Sequence, residues 1–92
     1  MSVVKKFIDI YKIVFADTSL SLEEKMVHNY CAIMVQSASG FVNIDVMSTN
    51  LRIPTPLIYE SLEKLKCRNH IDYAIVGKIC LFTLLHALEK MN

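Results

Sequence analysis

The chain has 92 residues, a formal net charge of +1 at pH 7, and a hydrophobic content of 53%. A chain this short forms one domain at most, so we predict a single domain over residues 1–92. The near-neutral charge lacks the basic excess of a strong nucleic-acid binder. The high apolar content indicates that part of the surface is buried against a second copy or a partner.

Membrane-spanning, secreted and zinc-binding classes do not fit the sequence. The uncharged stretch Met26 to Val42 contains His28, Asn29, Gln36 and two serines and fits a helix and a turn better than a membrane span, and the N-terminus lacks the cleavage pattern of a signal peptide. Cys31, Cys67 and Cys80 are widely spaced, without a CxxC pair or a histidine at a zinc-ligand interval. We therefore expect a reduced, cytoplasmic protein without a metal or cofactor.

The first half of the chain predicts two helices. Apolar residues recur at helical intervals in residues 3–16, on more than one face, which fits either a core helix or a helix covered by a partner. Ser21 and Glu24 form a capping box that predicts a second helix from about Leu22 to Ser37. Gly40 is the predicted left-handed cap at its end.

A short strand and two further helices follow. Phe41 and Val42 suit a strand, and Asn43 can cap a helix of seven or eight residues. Thr55 is the predicted N-cap of the next helix, with Pro56 at its first position and an end near Cys67. Asn69 can take the left-handed conformation after that helix.

The last third predicts a β-hairpin and a final helix. The stretch "IDYAIVGKICLFTL" alternates in polarity and should turn near Gly77 and Lys78. The tail returns to helical spacing and predicts a helix over about 84–91. Its apolar stripe is Leu81, Leu84, Leu85, Leu88 and Met91. The fold class is therefore mainly α, of the α+β kind.

The segment "VNIDVMSTNLRIPTPLIYESLEKLKCRNHI" resembles the winged helix-turn-helix pattern of small bacterial, archaeal and phage regulators. The resemblance covers residues 42–83. It implies a helix-turn-helix over about 43–68, a hairpin wing over about 71–83, and extra N- and C-terminal helices. It also implies a dimeric transcriptional regulator that binds double-stranded DNA sequence-specifically. Its helix 55–67 would enter the major groove.

The candidate DNA-binding residues follow from this resemblance. They are Arg52, Thr55, Pro56, Leu57, Tyr59, Glu60, Lys64 and Lys78. Two departures from the family pattern matter. Arg52 stands where glycine is frequent, which is tolerable if the turn avoids positive φ. Glu60 can only accept a hydrogen bond from a base, as from cytosine N4. Segment 42–83 carries five of the ten basic residues but only +1 net, so an ordinary solvated surface is the alternative to phosphate contact.

A homodimer is the predicted assembly, through the N-terminal helix, the C-terminal stripe or both. The candidate interface residues are Phe7, Tyr11, Val14, Leu81, Leu84, Leu85 and Leu88. The competing function is a winged-helix protein-interaction module without base-specific binding. The leading helix pair favours it by resembling the N-terminal domains of phage and plasmid replication-initiation factors.

The sequence does not predict an enzyme. His28, His70 and His86 are far apart and beside apolar stripes, so each is predicted to be a core or surface histidine. No arrangement of a nucleophile with a base is visible, and two glycines cannot form a phosphate-binding loop.

Overall fold

The computed structural model describes residues 12–35 and 38–86. Helical residues 12–15 precede three complete helices, α1 (Leu22–Met34), α2 (Ile44–Leu51) and α3 (Thr55–Cys67). Three strands complete this part of the chain, β1 (Ser39–Asn43), β2 (Ile71–Val76) and β3 (Ile79–Leu84). The predicted α+β class is confirmed.

Helix α1 begins as predicted and ends earlier. The Glu24 N–H donates to Ser21 Oγ (3.2 Å) and the Ser21 N–H donates to Glu24 Oε1 (2.8 Å), so the capping box is confirmed. The helix ends at Met34 because Val35 is extended, at φ −84° and ψ 153°. The predicted cap at Gly40 is wrong, since Gly40 lies inside β1.

Helix α2 is capped by Asn43 as predicted, with the Val46 N–H donating to Asn43 Oδ1 at 3.1 Å. It ends in Arg52, at φ +58°. The condition under which arginine would be sterically tolerable here, a turn without positive φ, is therefore not met. The left-handed residue lets its own N–H donate to the Ser48 carbonyl, which caps the helix.

Helix α3 begins one residue earlier than predicted. Pro54 occupies the N-cap position and no side chain caps the helix, so Thr55 is its first residue and not its cap. Pro56 is the second residue of the helix. A backbone N–H at this position would have no intrahelical acceptor, so proline loses no helical hydrogen bond there. At the other end, Asn69 has φ +62°, which confirms the left-handed conformation predicted there.

The three strands form one antiparallel sheet in the order β1-β3-β2. The predicted hairpin is confirmed, with Gly77 at φ +63° in the turn between β2 and β3. Strand β3 continues to Leu84, so the helical stripe predicted from Leu81 is wrong at its start. Adjacent residues of a strand face opposite ways, and Leu81 and Leu84 therefore lie on different faces of the sheet.

The core lies between the helices and the inner face of the sheet. Its fully buried members include Val27, Met47, Ile58, Leu62 and Ile71. Within the described residues, no helix is both long and apolar enough to pass through a membrane.

Two residues predicted at a dimer interface belong to this core instead. Val14 is 2% exposed and Leu84 is 1% exposed, so neither can contact another chain without opening the fold. Leu81 is exposed and Leu85 is half-buried. The other predicted interface residues, Phe7, Tyr11 and Leu88, lie outside the described residues.

Candidate nucleic-acid interface

The turn between α2 and α3 is short and is held by two hydrogen bonds to Ser48. It spans three residues, of which Ile53 is only 5% exposed. Ser48 holds it from both sides. Its hydroxyl donates to the Ile53 carbonyl (2.6 Å), and its carbonyl accepts from the Ile53 N–H (3.1 Å). The start of α3 is therefore held in a fixed position relative to α2.

Helix α3 has one buried face and one outward face. The buried face consists of Ile58, Ser61, Leu62 and Leu65. At 100° per residue, the residues directly opposite are Pro56, Glu60, Glu63 and Cys67, and all four are exposed. The most outward line of this helix therefore carries two carboxylates and no cation.

The predicted base-reading residues lie along and beside this line. Leu57 is 43% exposed and Tyr59 is 39% exposed, on opposite flanks of the outward face. Lys64 is half-buried on the same flank as Leu57, and Thr55 is half-buried at the helix start. Segment 42–83 thus gathers most of the predicted residues on one exposed helix.

Three of the five cations in segment 42–83, which is described in full, already have carboxylate partners. Lys78 Nζ lies 2.8 Å from Asp45 Oδ2. Arg68 Nε lies 3.1 Å from Asp17 Oδ2, and Lys66 Nζ lies 3.9 Å from Asp72 Oδ1. No ion pair within 4 Å involves Arg52 or Lys64 in this part of the chain. These two side chains are the strongest candidates for contact with phosphate.

The side chain of Lys78 is exposed in the hairpin turn, while its backbone contacts α2. Its carbonyl accepts from the Ile44 N–H at 2.8 Å, so the hairpin turn lies against the start of α2. The hydrogen bond from Lys78 to Asp45 raises the pKa of the lysine. A phosphate contact by Lys78 must therefore compete with the Asp45 carboxylate.

The hairpin is also joined to α3. The Tyr73 hydroxyl donates to Glu63 Oε1 at 2.7 Å, and Lys66 Nζ lies 5.6 Å from the centre of the Tyr73 ring. Partial burial and the Glu63 carboxylate together raise the pKa of Tyr73 to about 12. These contacts orient one of the two outward carboxylates toward β2.

The outer face of the sheet is apolar and exposed. Phe41 pairs with Leu81, and Leu81 pairs with Ala74 on the far strand, so the three share one face. Phe41 is 66% exposed and Leu81 is 46% exposed. Val76 is two residues from Ala74 along β2 and is 63% exposed. We call Phe41, Ala74, Val76 and Leu81 the outer sheet patch.

A histidine cluster is the feature that the sequence did not predict. His70 Nε2 lies 2.7 Å from Asp17 Oδ2, and His70 Nδ1 lies 2.8 Å from His86 Nε2. The ring centre of His28 is 6.3 Å from that of His70. Each histidine was predicted to be a core or surface residue, and no spacing signal could have united the three, because helix and strand packing brings distant segments together.

Burial and charge shift the protonation of this cluster. Hydrogen bonds from Ser19, His70 and Arg68 hold the pKa of Asp17 well below its usual value. Burial, with added repulsion from His70 and His86, lowers the pKa of His28 to about 4. His28 is 1% exposed and neither ring nitrogen has a hydrogen-bond partner. At neutral pH this ring is therefore uncharged.

No group of three or more metal-ligating side chains in the described ranges is arranged to hold a metal ion. The thiols of Cys31 and Cys80 are buried, and burial raises the pKa of Cys80 to about 11. These two thiols are therefore protonated at neutral pH and are poor nucleophiles.

The chain has no match among protein-family models, curated proteins or solved structures.

Proposed function

We propose that this chain is a winged-helix domain that binds double-stranded DNA through α3, as a small transcriptional regulator. The observation that carries the proposal is the pair α2 and α3, joined by three residues fastened through Ser48, with the outward face of α3 exposed. Short turns of this kind characterise helix-turn-helix motifs, whose second helix enters the major groove. The hairpin beside α3 would be the wing.

The charges suggest how such a complex would form. Arg52, next to the start of α3, and Lys64, on its flank, would contact phosphates. Tyr59 would donate to a phosphate or pack against the sugar-phosphate backbone. Glu60 would accept from cytosine N4, the usual partner of a carboxylate at a base edge. With so few free cations, binding should be weak for non-cognate DNA and should rely on base contacts and on a second copy of the chain.

Replacing Glu60 with Gln tests whether the outward face of α3 meets DNA. The change removes a negative charge near the phosphates without altering side-chain size, so affinity for a random duplex should rise about two- to fivefold at low salt. The measurement is fluorescence anisotropy with a labelled 20-base-pair duplex at two salt concentrations. Arg52→Ala should lower affinity and reduce the slope of log affinity against log salt by about one.

Glu23→Gln is the matched control for this experiment. Glu23 is an exposed carboxylate in the first turn of α1, so the net charge changes equally on a different element. Equal effects of Glu60→Gln and Glu23→Gln would show that only total charge matters and would contradict contact through α3. Absence of any binding at low salt would contradict the whole proposal.

A protein-interaction module is the second candidate, and two observations favour it. Three of the cations in segment 42–83 are paired with carboxylates, and the outer sheet patch exposes large apolar side chains. Exposed apolar surfaces of this kind mark interaction sites. If no variant of α3 changes DNA affinity, this candidate replaces the first. The homodimer stays a prediction. Among the predicted interface residues that the structure describes, Leu81 is the exposed one.

A further inference from the structure

Three distant segments of the chain meet at His70. Asp17 comes from the loop before α1, His70 lies between α3 and β2, and His86 follows β3. Two short side-chain hydrogen bonds join them, and the His70 side chain is only 6% exposed. Backbone hydrogen bonds connect the same segments. The Leu85 N–H donates to the His70 carbonyl (3.2 Å), and the His70 N–H donates to the Leu65 carbonyl (2.9 Å).

The donors and acceptors of this chain of groups can be assigned. The Asp17 carboxylate only accepts, so the His70 Nε2–H must donate to it. His70 Nδ1 and His86 Nε2 face each other, and a hydrogen bond between them requires one proton. With both rings neutral, the His86 Nε2–H donates to His70 Nδ1.

Each added proton therefore has a different effect. One extra proton leaves both hydrogen bonds intact and makes them charge-assisted, with the Asp17 carboxylate facing the new cation. A second extra proton puts N–H groups on both of the facing nitrogens. The bond between His70 and His86 is then lost, and two positive charges lie side by side.

The surrounding charges act on the same step. The groups that face His70 are Asp17 from the loop, His28 from α1 and His86 beyond β3, while Arg68 at the end of α3 shares the Asp17 carboxylate. The Asp17 carboxylate already forms an ion pair with Arg68. Its single negative charge can therefore stabilise one imidazolium cation but not two. Ser19 adds two hydrogen bonds, which hold Asp17 in its charged form.

We propose that Asp17, His70 and His86 form a proton-dependent clamp. One proton tightens the clamp, and a second opens it and releases Leu85 and His86 from the junction of α3 and β2. The device is independent of DNA binding, because none of its three residues lies on α3.

Hydrogen exchange of the Leu85 amide, corrected for the intrinsic effect of pH, tests this clamp. In a series measured from pH 8 down to pH 5, protection should first rise about fivefold when one proton binds, because a charge-assisted bond replaces a neutral one. It should then fall about tenfold when the second proton binds, because the bond between His70 and His86 is lost. The amide of Ile44, at the start of α2, donates to the Lys78 carbonyl in the hairpin turn; it is the internal control and should show neither change.

Two variants separate the steps. Gln at position 86 can donate to or accept from His70 Nδ1 but cannot titrate, so His86→Gln should keep the rise and lose the fall. Asn at position 17 still accepts from His70 but carries no charge, so Asp17→Asn should lose most of the rise. The imidazole ¹⁵N spectrum should show His70 Nε2 protonated throughout the range.

His28→Leu removes the nearby buried imidazole as an alternative cause. If the fall at the acidic end of the series persists in His28→Leu and is absent in His86→Gln, the clamp is supported. A fall that persists in His86→Gln overturns the proposal, as does Leu85 protection that does not change between pH 8 and 5. If His28→Leu does not fold, the comparison of the natural chain with His86→Gln still decides, because His28 is mostly neutral at pH 5.

Discussion

Arg52 shows how one residue can serve two requirements that conflict. Its φ of +58° caps α2 through Ser48, and a side chain with a Cβ atom is strained there by about 1 kcal/mol. Its guanidinium is also one of two cations in segment 42–83 without a carboxylate partner. Glycine would satisfy the turn and remove the charge, so the presence of arginine favours a role for the charge itself.

Arg52→Gly should therefore stabilise the fold and weaken DNA binding. Relief of the left-handed strain should raise the free energy of unfolding by about 1 kcal/mol, measured by urea denaturation. Arg52→Ala is the control, because it removes the charge and keeps the strain. Its DNA affinity should fall as much as that of the glycine variant, with little gain in stability. Equal stability of the two variants would show that the turn is not strained.

At the scale of elements, the two glycines of the chain have different roles. Gly40 is in β1, where an added Cβ would lie 3.1 Å from Phe82 Cζ and 3.2 Å from the Met34 carbonyl oxygen. Gly77 is in the hairpin turn, with no atom within 4 Å of an added Cβ, but with a φ of +63°. Close packing of α1 on the sheet thus requires the first glycine, and backbone conformation requires the second.

Gly40→Ala should lower the free energy of unfolding by about 1 to 2 kcal/mol, because the Met34 backbone must move. Gly77→Ala should cost about 1 kcal/mol for a different reason, the left-handed φ. Asparagine at each position distinguishes the causes in urea denaturation. Asn tolerates positive φ, so Gly77→Asn should cost less than Gly77→Ala, while Gly40→Asn should cost more than Gly40→Ala. The reverse order at position 40 would contradict the packing explanation.

At the scale of the whole molecule, a buried neutral histidine makes stability depend on pH. The pKa of His28 is about 4 in the folded chain, against 6.5 for an unperturbed histidine. Above pH 6.5 the ring is neutral in both states. Between pH 6.5 and 4 the unfolded chain binds a proton that the folded chain does not, so stability falls as the pH falls. Asp17, whose pKa is lowered, adds a further loss only below about pH 4.

The natural chain should lose about 3 kcal/mol of stability through His28 between pH 6.5 and 4, and His28→Leu should remove this part of the dependence. Urea denaturation of both chains at four pH values in this range measures the difference. Asn29→Leu, at the neighbouring half-buried position, is the control and should keep the slope of the natural chain. A slope unchanged by His28→Leu would show that the ring is protonated or solvated in the folded state.

Local chemistry was enough to predict most of the elements. The capping box at Ser21, the cap at Asn43, the left-handed Asn69 and the turn at Gly77 were all predicted correctly, since each depends on a few adjacent residues. The α+β class followed from the change between helical and alternating apolar patterns. Of the candidate site, the sequence could predict the residues of α3, because its apolar stripe defines which face is buried.

Only the tertiary structure decided the features that depend on distant segments. It made Leu84 a core strand residue rather than part of a helical stripe, because pairing with Ile71 extends β3. It paired Lys78 with Asp45 and Arg68 with Asp17, which reduced the free charge on the candidate interface. It also joined Asp17, His70 and His86, whose separation along the chain leaves no periodic signal. The physical reason is the same throughout: periodicity and capping act over a few residues, whereas pairing of charges and imidazoles depends on packing across the whole fold.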